Sequence, residues 1–198
     1  MARIPKITNQ QILEAAREVF LEKGFSGSTL EIAARAGISE ASIFKRFSTK
    51  EELFFAAMGI PETPVWVTEL EPLVGKGNLK ENLIQICIQI LEFHQEVMPR
   101  FMMLRSRGKA LPKPESLLES KPIRDVKALT SFLEHEMKQG RLCPCDSKTL
   151  ALLLIGSLMN YVFFSERMGA QASVANTDQE FVQRLVEILW QGIAPVLD

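Results

Sequence analysis

The chain has 198 residues, of which 46% are hydrophobic, so it can form one medium domain or a small and a medium domain with a buried core. Its formal net charge is −1, which excludes a protein that coats nucleic acid non-specifically but not a compact DNA-reading module. The three cysteines are typical of a reducing compartment, and the N-terminus has no apolar signal segment, so we expect a cytoplasmic protein.

The first 58 residues predict four short helices and show no strand-like alternation. Thr8 is a good N-cap for the first helix, with Gln11 three residues later as its capping-box partner. Gly24 and Gly37 are placed to end the first and second helices. The expected helices run, in chain order, from Thr8 to Gly24, from Ser28 to Arg35, from Ser39 to about Phe47, and from Ser48 or Thr49 to Met58.

Beyond these residues the composition changes and the predicted helices lengthen. Two prolines in "GIPETPVW" predict a linker or kink around residues 59–65, and Pro99 is expected to break or kink the chain. The stretches "GKALPKPESLLESKP" and "GAQASVANTDQ" predict loops. The expected helices run from Asn78 to about Phe93, from Val126 to Lys138, from Asp146 to about Met168, and from Phe181 to Ile193. We therefore predict an all-α chain of about nine helices in two domains, residues 5–58 and 59–198.

The stretch "IAARAGIS" followed by "EASIFKRF" predicts a helix, a tight glycine turn and a second helix. This is the helix-turn-helix arrangement, here over about residues 28–47, in which the second helix enters the major groove of DNA. Ser39 is its expected N-cap, and residues 39–42, in its first turn, are small or able to hydrogen-bond. Phe44 points away from the inward side chains Ile43 and Phe47 and can contact a thymine methyl group or the DNA backbone. Lys45, Arg46 and Lys50 supply positive charge for phosphates.

Several stretches together resemble the DNA-binding domain of the TetR family of transcriptional regulators. They are "ILEAAREVFLEKGF" (12–25), "IAARAGIS" (32–39), and then Phe44, Phe47, Lys50, Glu51 and Leu53. The resemblance implies a three-helix DNA-binding head joined through a fourth helix to a larger helical domain that dimerises and binds a small inducer. It also implies a phosphate contact from Ser28 or Thr29, whereas Phe44 and Arg46 replace the family's usual tyrosine and histidine. The candidate DNA contacts are Ser28, Thr29, Ser39, Glu40, Ala41, Ser42, Phe44, Lys45, Arg46 and Lys50.

No catalytic or metal-binding pattern stands out in the sequence. "SIFK" (42–45) matches an S-x-x-K nucleophile motif but lacks its SDN and KTG companions. The two histidines, His94 and His135, fall in different predicted helices. Cys143 and Cys145 are separated by one residue, whereas the cysteines of a CxxC pair are separated by two. We therefore predict no enzyme, no cofactor and no metal, and we expect the cysteine pair to form a turn.

A ligand pocket is expected in the second domain, because its aromatic and methionine side chains suit an adaptable apolar wall. Ordinary core filling is an equally compatible use of the methionines. The basic run from Arg100 to Lys109 either meets an anionic ligand group or forms a solvated face, and Asn160 either orients the ligand or bonds across a dimer seam. The expected pocket residues are Trp66, Phe93, Phe101, Met102, Phe132, Asn160, Tyr161 and Phe164.

The last two predicted helices are candidates for a dimer seam, since the first of them is apolar on nearly every side. Its most apolar run, Thr149–Phe164, is short for a membrane span, so we expect no membrane segment. The expected seam residues are Gly156, Ser157, Val186, Leu189, Trp190 and Ile193. The sequence thus predicts a homodimeric repressor that a small apolar or amphipathic ligand releases from palindromic operator DNA. The alternative is a DNA-binding regulator whose second domain binds a protein and has no ligand pocket.

Overall fold

The computed structural model describes residues 7–61, 63–106, 121–168 and 177–192. Within these ranges all regular secondary structure is helical, which confirms the predicted all-α class. One 3-10 turn, Gly24–Ser26, follows the first helix. The helices of the described residues are α1 (Asn9–Lys23), α2 (Thr29–Ala36), α3 (Glu40–Phe44), α4 (Lys50–Ala57), α5 (Val65–Leu73), α6 (Leu79–Ser106), α7 (Lys121–Lys138), α8 (Ser147–Met168) and α9 (Asp178–Gln191).

The chain folds into two compact units, each with its own apolar core. The first unit comprises Met1–Ile60 and Pro99–Pro112, and the second comprises Pro61–Met98 and Lys113–Asp198. This division differs from the expected one for the segment that begins at Pro99. Met103 in that segment packs against the core of the first unit, together with Leu104, which explains the grouping.

The core of the first unit is built from one apolar face of each short helix. Helix α1 begins with the predicted capping box, in which the Thr8 hydroxyl accepts from the Gln11 backbone N–H at 3.2 Å. The Gln11 side-chain carbonyl accepts from the Thr8 backbone N–H at 2.9 Å. Side chains that are fully buried in this core include Ile12, Ala16, Val19, Phe20, Ile32, Ile43, Leu53 and Phe54.

The turn between α2 and α3 depends on Gly37, which has φ 67° and ψ 32°. Its N–H bonds to the Ala34 carbonyl at 3.2 Å, and the Ile38 N–H bonds to the Ala33 carbonyl at 3.0 Å. This is the Schellman pattern, in which a glycine supplies the left-handed backbone that other residues rarely adopt. The turn therefore fixes the direction in which α3 leaves α2.

Helices α5 and α6 depart clearly from the sequence prediction. Helix α5 lies just after the expected linker and was not predicted; it forms because Trp66 and Leu70, one helical turn apart, are both buried in the core. Helix α6 continues through Pro99, so of the expected break or kink the break does not occur. Burial of Val97 and Arg100 on either side of the proline holds this part of the helix in place, although the proline removes one backbone donor.

Helix α8 has a buried face and an outer face. Ala151, Leu154, Leu158 and Val162 are buried in the core of the second unit. By length and composition alone, Ser147–Ser165 meets the requirements for crossing a membrane. The core helix of a globular protein passes the same test, and α8 contributes four helical-spaced residues to such a core.

Candidate nucleic-acid interface

Helix α3 presents the residues expected to face DNA. Ser39 caps it, with the hydroxyl accepting from the Ser42 backbone N–H at 3.2 Å and lying 2.8 Å from the Ser42 hydroxyl. Ile43 is completely buried and locks the helix onto the core of the first unit. Phe44 and Lys45 are exposed, and the Phe44 side chain keeps 41% of its surface open. The expected separation of an inward and an outward face on α3 is therefore present.

The N-terminal turn of α2 lies against the N-terminal turn of α3. The Thr29 hydroxyl donates a hydrogen bond to the Glu40 carboxylate, and both side chains are partly buried. Ser28 caps α2, with its hydroxyl accepting from the Leu30 N–H at 3.2 Å. Leu30 itself is 65% exposed, an apolar side chain that was not among the candidate DNA contacts. It lies two residues before buried Ile32 and so on the opposite side of α2, which was the signal that could have identified it.

The three candidate phosphate contacts occupy different environments. Lys45 is exposed. Arg46 is partly buried and donates to the Ile7 carbonyl at 2.8 Å and to the Asn9 side chain at 3.2 Å. Lys50, in the first turn of α4, has its ammonium 4.9 Å from the centre of the Phe25 ring, within range of a cation–π contact. Arg46 thus holds the start of α1 in place, a role the sequence did not indicate.

A network of charged side chains joins α1 to α2 on the surface of the first unit. Arg35 donates to both carboxylate oxygens of Glu22, at 2.8 and 2.6 Å, and to Glu31 at 2.9 Å. Lys23 adds a 2.6 Å contact to Glu31. The hydrogen bonds from Arg35 and Lys23 lower the pKa values of Glu22 and Glu31 respectively. All four groups are solvent-accessible, so the network positions α2 more than it stabilises the unit.

The expected pocket residues are dispersed. Trp66 and Phe132 are buried in the core of the second unit, and Phe93 packs against it, whereas Phe101 and Met102 lie in the segment that groups with the first unit. Of two cavities lined by described residues of the second unit, the one beside α5 and α7 includes Phe132. The other cavity contains none of the eight.

Three residues of α8 that were expected to line the pocket are used otherwise. Tyr161 is buried, stacks on Phe181 with 4.0 Å between ring centres, and donates to the Asp178 carboxylate at 3.1 Å. Asn160 and Phe164 lie on the outer face, and Phe164 is 53% exposed. The expected pocket role of Asn160 and Phe164 is therefore corrected, because their helical positions turn them away from the core.

The two described basic residues of the run from Arg100 to Lys109 do not share one solvated face. Arg100 is only 2% exposed, and its guanidinium donates to the Gly59 carbonyl within the first unit at 3.3 Å. Arg105 is exposed and lies over the Phe101 ring, 5.6 Å from its centre. The remaining two basic residues of the run, at 107 and 109, lie outside the described residues.

The expected dimer residues divide between the core and the surface. Val186 is 2% exposed and belongs to the core of the second unit, so its assignment to a seam was wrong; the apolar stripe of α9 places it one turn after buried Val182. Leu189 is partly buried against the same core, Gly156 and Ser157 are partly exposed, and Trp190 is 43% exposed. Ile193 lies outside the described residues.

A further set of apolar side chains is exposed on α8 and α9, and we call it the outer apolar face. It comprises Leu152, Leu153, Met159 and Phe164 on α8 and Ile188 on α9. Each of these five keeps between 39% and 55% of its surface open, whereas Trp190 points to the opposite side of α9 from Ile188 and lines a cavity. A patch of large apolar groups on neighbouring helices is typical of a surface that another protein covers.

The first unit has the chemistry of a DNA-binding module. Its short α3 follows a glycine turn, carries an exposed aromatic, ends at an exposed cation, and is held by a buried isoleucine. In the part of the chain that the structure describes, no group of three or more His, Cys, Asp or Glu side chains could hold a metal ion. The fold and this surface define a helix-turn-helix DNA-binding protein.

Comparison with known proteins agrees with this class. Residues 12–57 match the model of the family described as bacterial regulatory proteins, tetR family. The HTH-type transcriptional regulator RutR of Escherichia coli (strain K12) is 26% identical over 203 residues, covering 98% of this chain and 94% of that protein. The first unit thus matches the DNA-binding domain of the TetR family, as the resemblance of these residues implied, and the whole chain is similar to a transcriptional regulator.

Solved structures share the fold over nearly the whole chain. A putative TetR-family transcriptional regulator from Mesorhizobium loti MAFF303099 has a TM-score of 0.66 at 18% identity, covering 90% of this chain and 91% of that one. The transcriptional regulator FadR from Bacillus subtilis, solved in complex with stearoyl-CoA, has a TM-score of 0.64 at 18% identity, covering 94% of this chain and 100% of that one. At 18% sequence identity, the similarity to these two structures concerns the fold alone.

Proposed function

We propose that the protein is a repressor that binds a palindromic operator as a homodimer and leaves it when a small, largely apolar ligand binds the second unit. The observation that carries this proposal is the exposed face of α3, where Ser39, Ala41, Phe44 and Lys45 are open to solvent on a helix locked by buried Ile43. Such a face can enter a major groove without rearrangement of the unit.

The candidate residues in and just after α3 have distinct roles on DNA. Phe44 lacks a hydroxyl group, so it contacts thymine methyl groups or sugars through its ring. Lys45 neutralises a phosphate, and Lys50 reaches the backbone from the first turn of α4. Ala41 and Ser42 lie nearest to the base edges and set sequence preference.

A homodimer is required by the small number of base pairs that one such head reads. Two copies that pair through a two-fold axis would present two heads, and their operator would be palindromic. The outer apolar face is the surface we assign to this pairing. Gly156 lies beside it, and an added Cβ there would meet nothing within 4 Å, so a partner helix has room to approach.

Trp66 supports a ligand with at least one hydrogen-bond acceptor. Its indole N–H is buried in the core of the second unit and has no hydrogen-bond partner. A buried donor left unpaired costs about 1–3 kcal/mol, so an acceptor brought in by a ligand would relieve that cost. An acyl compound combines an apolar chain with such an acceptor, and the stearoyl-CoA bound to FadR from Bacillus subtilis makes acyl compounds the first class to test.

Release requires only that the ligand prefers the conformation that cannot bind the operator. A difference of a few kcal/mol in ligand affinity between the two conformations is sufficient. The ligand then shifts the population of dimers without touching the DNA-binding unit.

The experiment begins with selection of a duplex from a randomised pool by the full-length protein, followed by titration at several salt concentrations. Enrichment of a palindrome with a steep salt dependence is expected; no enrichment would refute the DNA-binding proposal. Stearoyl-CoA and stearate are then added to the complex. A probe that binds should raise the melting temperature of the free protein, because at a hundred times its Kd it adds about 2.7 kcal/mol to the free energy of unfolding. The same probe should weaken the complex with DNA.

The ligand assignment is tested with a matched pair of variants. Trp66→Phe keeps the ring in the core but removes the N–H, and it should weaken probe binding by about tenfold. Trp190→Phe makes the same chemical change on the surface and should leave probe affinity unchanged. If no acyl or other apolar probe alters melting or operator binding, the second unit acts instead as a protein-interaction module.

A further inference from the structure

The connection between α7 and α8 carries two thiols that the DNA-binding function does not use. Cys143 and Cys145 are both exposed, and neither forms a disulfide. Pro144 between them fixes one backbone torsion and restricts the residue before it, so the two thiols are held in a narrow range of arrangements. The pair is therefore a candidate for chemistry that needs two sulfur atoms at once.

Both ends of this connection are firmly held within the second unit. Arg141 donates to the Lys76 and Gly77 carbonyls at 2.9 and 3.2 Å, and its Nε lies 2.6 Å from the buried Glu136 carboxylate. At the other end, Asp146 caps α8 by accepting from the Thr149 N–H at 2.5 Å. The thiols thus sit on a short segment between two fixed points.

Both cysteines line one open cavity of about 390 Å³. Most of its wall is apolar and includes Leu150 from α8 and Leu189 and Trp190 from α9. This cavity is the one that contains none of the expected ligand-pocket residues, so the thiols and the apolar wall form a separate site.

The donor set selects a particular kind of ligand. Structural zinc takes four ligands, usually with several cysteines or histidines. The described part of the chain offers no third His, Cys, Asp or Glu to complete such a set beside the two thiols. Thiolates favour soft centres, so the site suits a thiophilic centre that accepts two sulfur ligands and carries an apolar group.

We propose that Cys143 and Cys145 form a dithiol site that captures trivalent organoarsenicals, with the organic group lodged in the cavity against Leu189 and Trp190. In this step an arsenoso compound, R–As=O, reacts with two thiols to give R–As(S–Cys)₂ and water. Two As–S bonds form, the As–O bonding is lost, and both thiol protons leave with the oxygen. Arsenic stays trivalent, so no oxidant or reductant is needed.

Cys87 provides an internal comparison for this reaction. It is completely buried, and burial raises the pKa of its thiol to about 12. A thiol that is both inaccessible and protonated reacts slowly, because the thiolate is the nucleophile. The reaction should therefore spare Cys87 in the folded protein.

The experiment uses phenylarsine oxide and the full-length protein, with intact-mass spectrometry and thiol titration. One adduct should form per chain, and two thiols should be lost together. The second As–S bond is intramolecular and benefits from a high effective concentration, so Cys143→Ser and Cys145→Ser should each weaken capture by roughly tenfold or more. Cys87→Ser is the matched control and should bind like the unaltered protein.

Fluorescence tests the position of the organic group. The chain has two tryptophans, so the Trp66→Phe variant reports on Trp190 alone. Capture of phenylarsine oxide should change that emission in Trp66→Phe, and a dithiol but not a monothiol should reverse the change. Equal capture by either single-cysteine variant would overturn the proposal, as would an adduct that leaves Trp190 emission unaltered.

Discussion

The Thr29 hydroxyl, in the first turn of α2, donates a hydrogen bond to the Glu40 carboxylate, in the first turn of α3. The bond joins the two helices of the helix-turn-helix at the ends from which the DNA-facing residues start. It also gives the Glu40 carboxylate a hydrogen-bond donor within the protein. We therefore expect Glu40 to position α3 through Thr29, in addition to any contact that it makes with a base.

A double-mutant cycle on the free protein tests this bond. Thr29→Val and Glu40→Ala should each reduce the free energy of unfolding, and their effects should be non-additive by about 1–2 kcal/mol, because the bond involves a charged acceptor. Thr29→Ser keeps the hydroxyl group and is the control. Denaturant unfolding without DNA is the measurement, since a side chain that served only as a DNA contact would leave it unchanged.

Lys45 and Arg46 are adjacent in sequence and should respond differently to truncation. Lys45→Ala removes one exposed cation, so the slope of log affinity against log salt should fall by about 0.9 with the melting temperature unchanged. Arg46→Ala removes the bonds to the Ile7 carbonyl and the Asn9 side chain, and should cost about 1–3 kcal/mol of stability. An Arg46→Ala protein of unaltered stability would show that its bonds contribute nothing to the fold.

The sequence predicted best those features that depend on a few neighbouring residues. The Thr8 capping box, the Ser39 cap and the left-handed turn at Gly37 each follow from local hydrogen bonds and backbone sterics, and all three occur. Inward Ile43 and outward Phe44 follow from the helical period. The first unit was therefore predictable almost element by element.

Features that depend on distant contacts were predicted poorly. Nothing near Arg46 in sequence indicates that it bonds to Ile7, 39 residues earlier. Helix α6 runs through Pro99 because packing on both sides outweighs the local preference of proline. Val186 is apolar and near the C-terminus, which fits a seam or a core equally well until the position of α9 is known.

His94 should make stability depend on pH near neutrality. Burial lowers its pKa, and the hydrogen bond to the Ile90 carbonyl, at 2.7 Å, opposes this only in part. The unfolded state, with an ordinary pKa of about 6.5, therefore binds more protons than the folded state in mildly acidic solution. Stability should be fully present above about pH 6.5 and fall as the pH drops through the lower, folded pKa.

Two histidine variants isolate this effect. His135 also bonds to a carbonyl four residues earlier, that of Ser131 at 2.7 Å, but its side chain is exposed. In denaturant titrations from about pH 7 to pH 5, His94→Gln should flatten the fall in stability and His135→Gln should retain it. An equal fall in all three proteins would assign the dependence to other groups.

The outer apolar face should hold two copies of the chain together through α8 and α9. Leu152 and Ile188 are about half exposed, so replacing both with Glu would place charge in the seam without disturbing the core. In a two-fold interface each change occurs twice, so the dimer dissociation constant should rise roughly a hundredfold or more. Sedimentation velocity over a concentration series measures this, with Gln183→Glu, an exposed position on the same helix, as the control.

Val186→Ala tests whether the buried side of α9 stabilises the fold without contributing to the dimer. Val186 is buried in the core of the second unit, so its truncation should lower the free energy of unfolding by about 2 kcal/mol and leave the dimer intact. The Leu152→Glu, Ile188→Glu protein should show the opposite pattern, a monomer with nearly unaltered helical content. If that protein remained dimeric at micromolar concentration, the copies would have to pair through another surface, because two charges per chain cannot be buried unpaired in a seam.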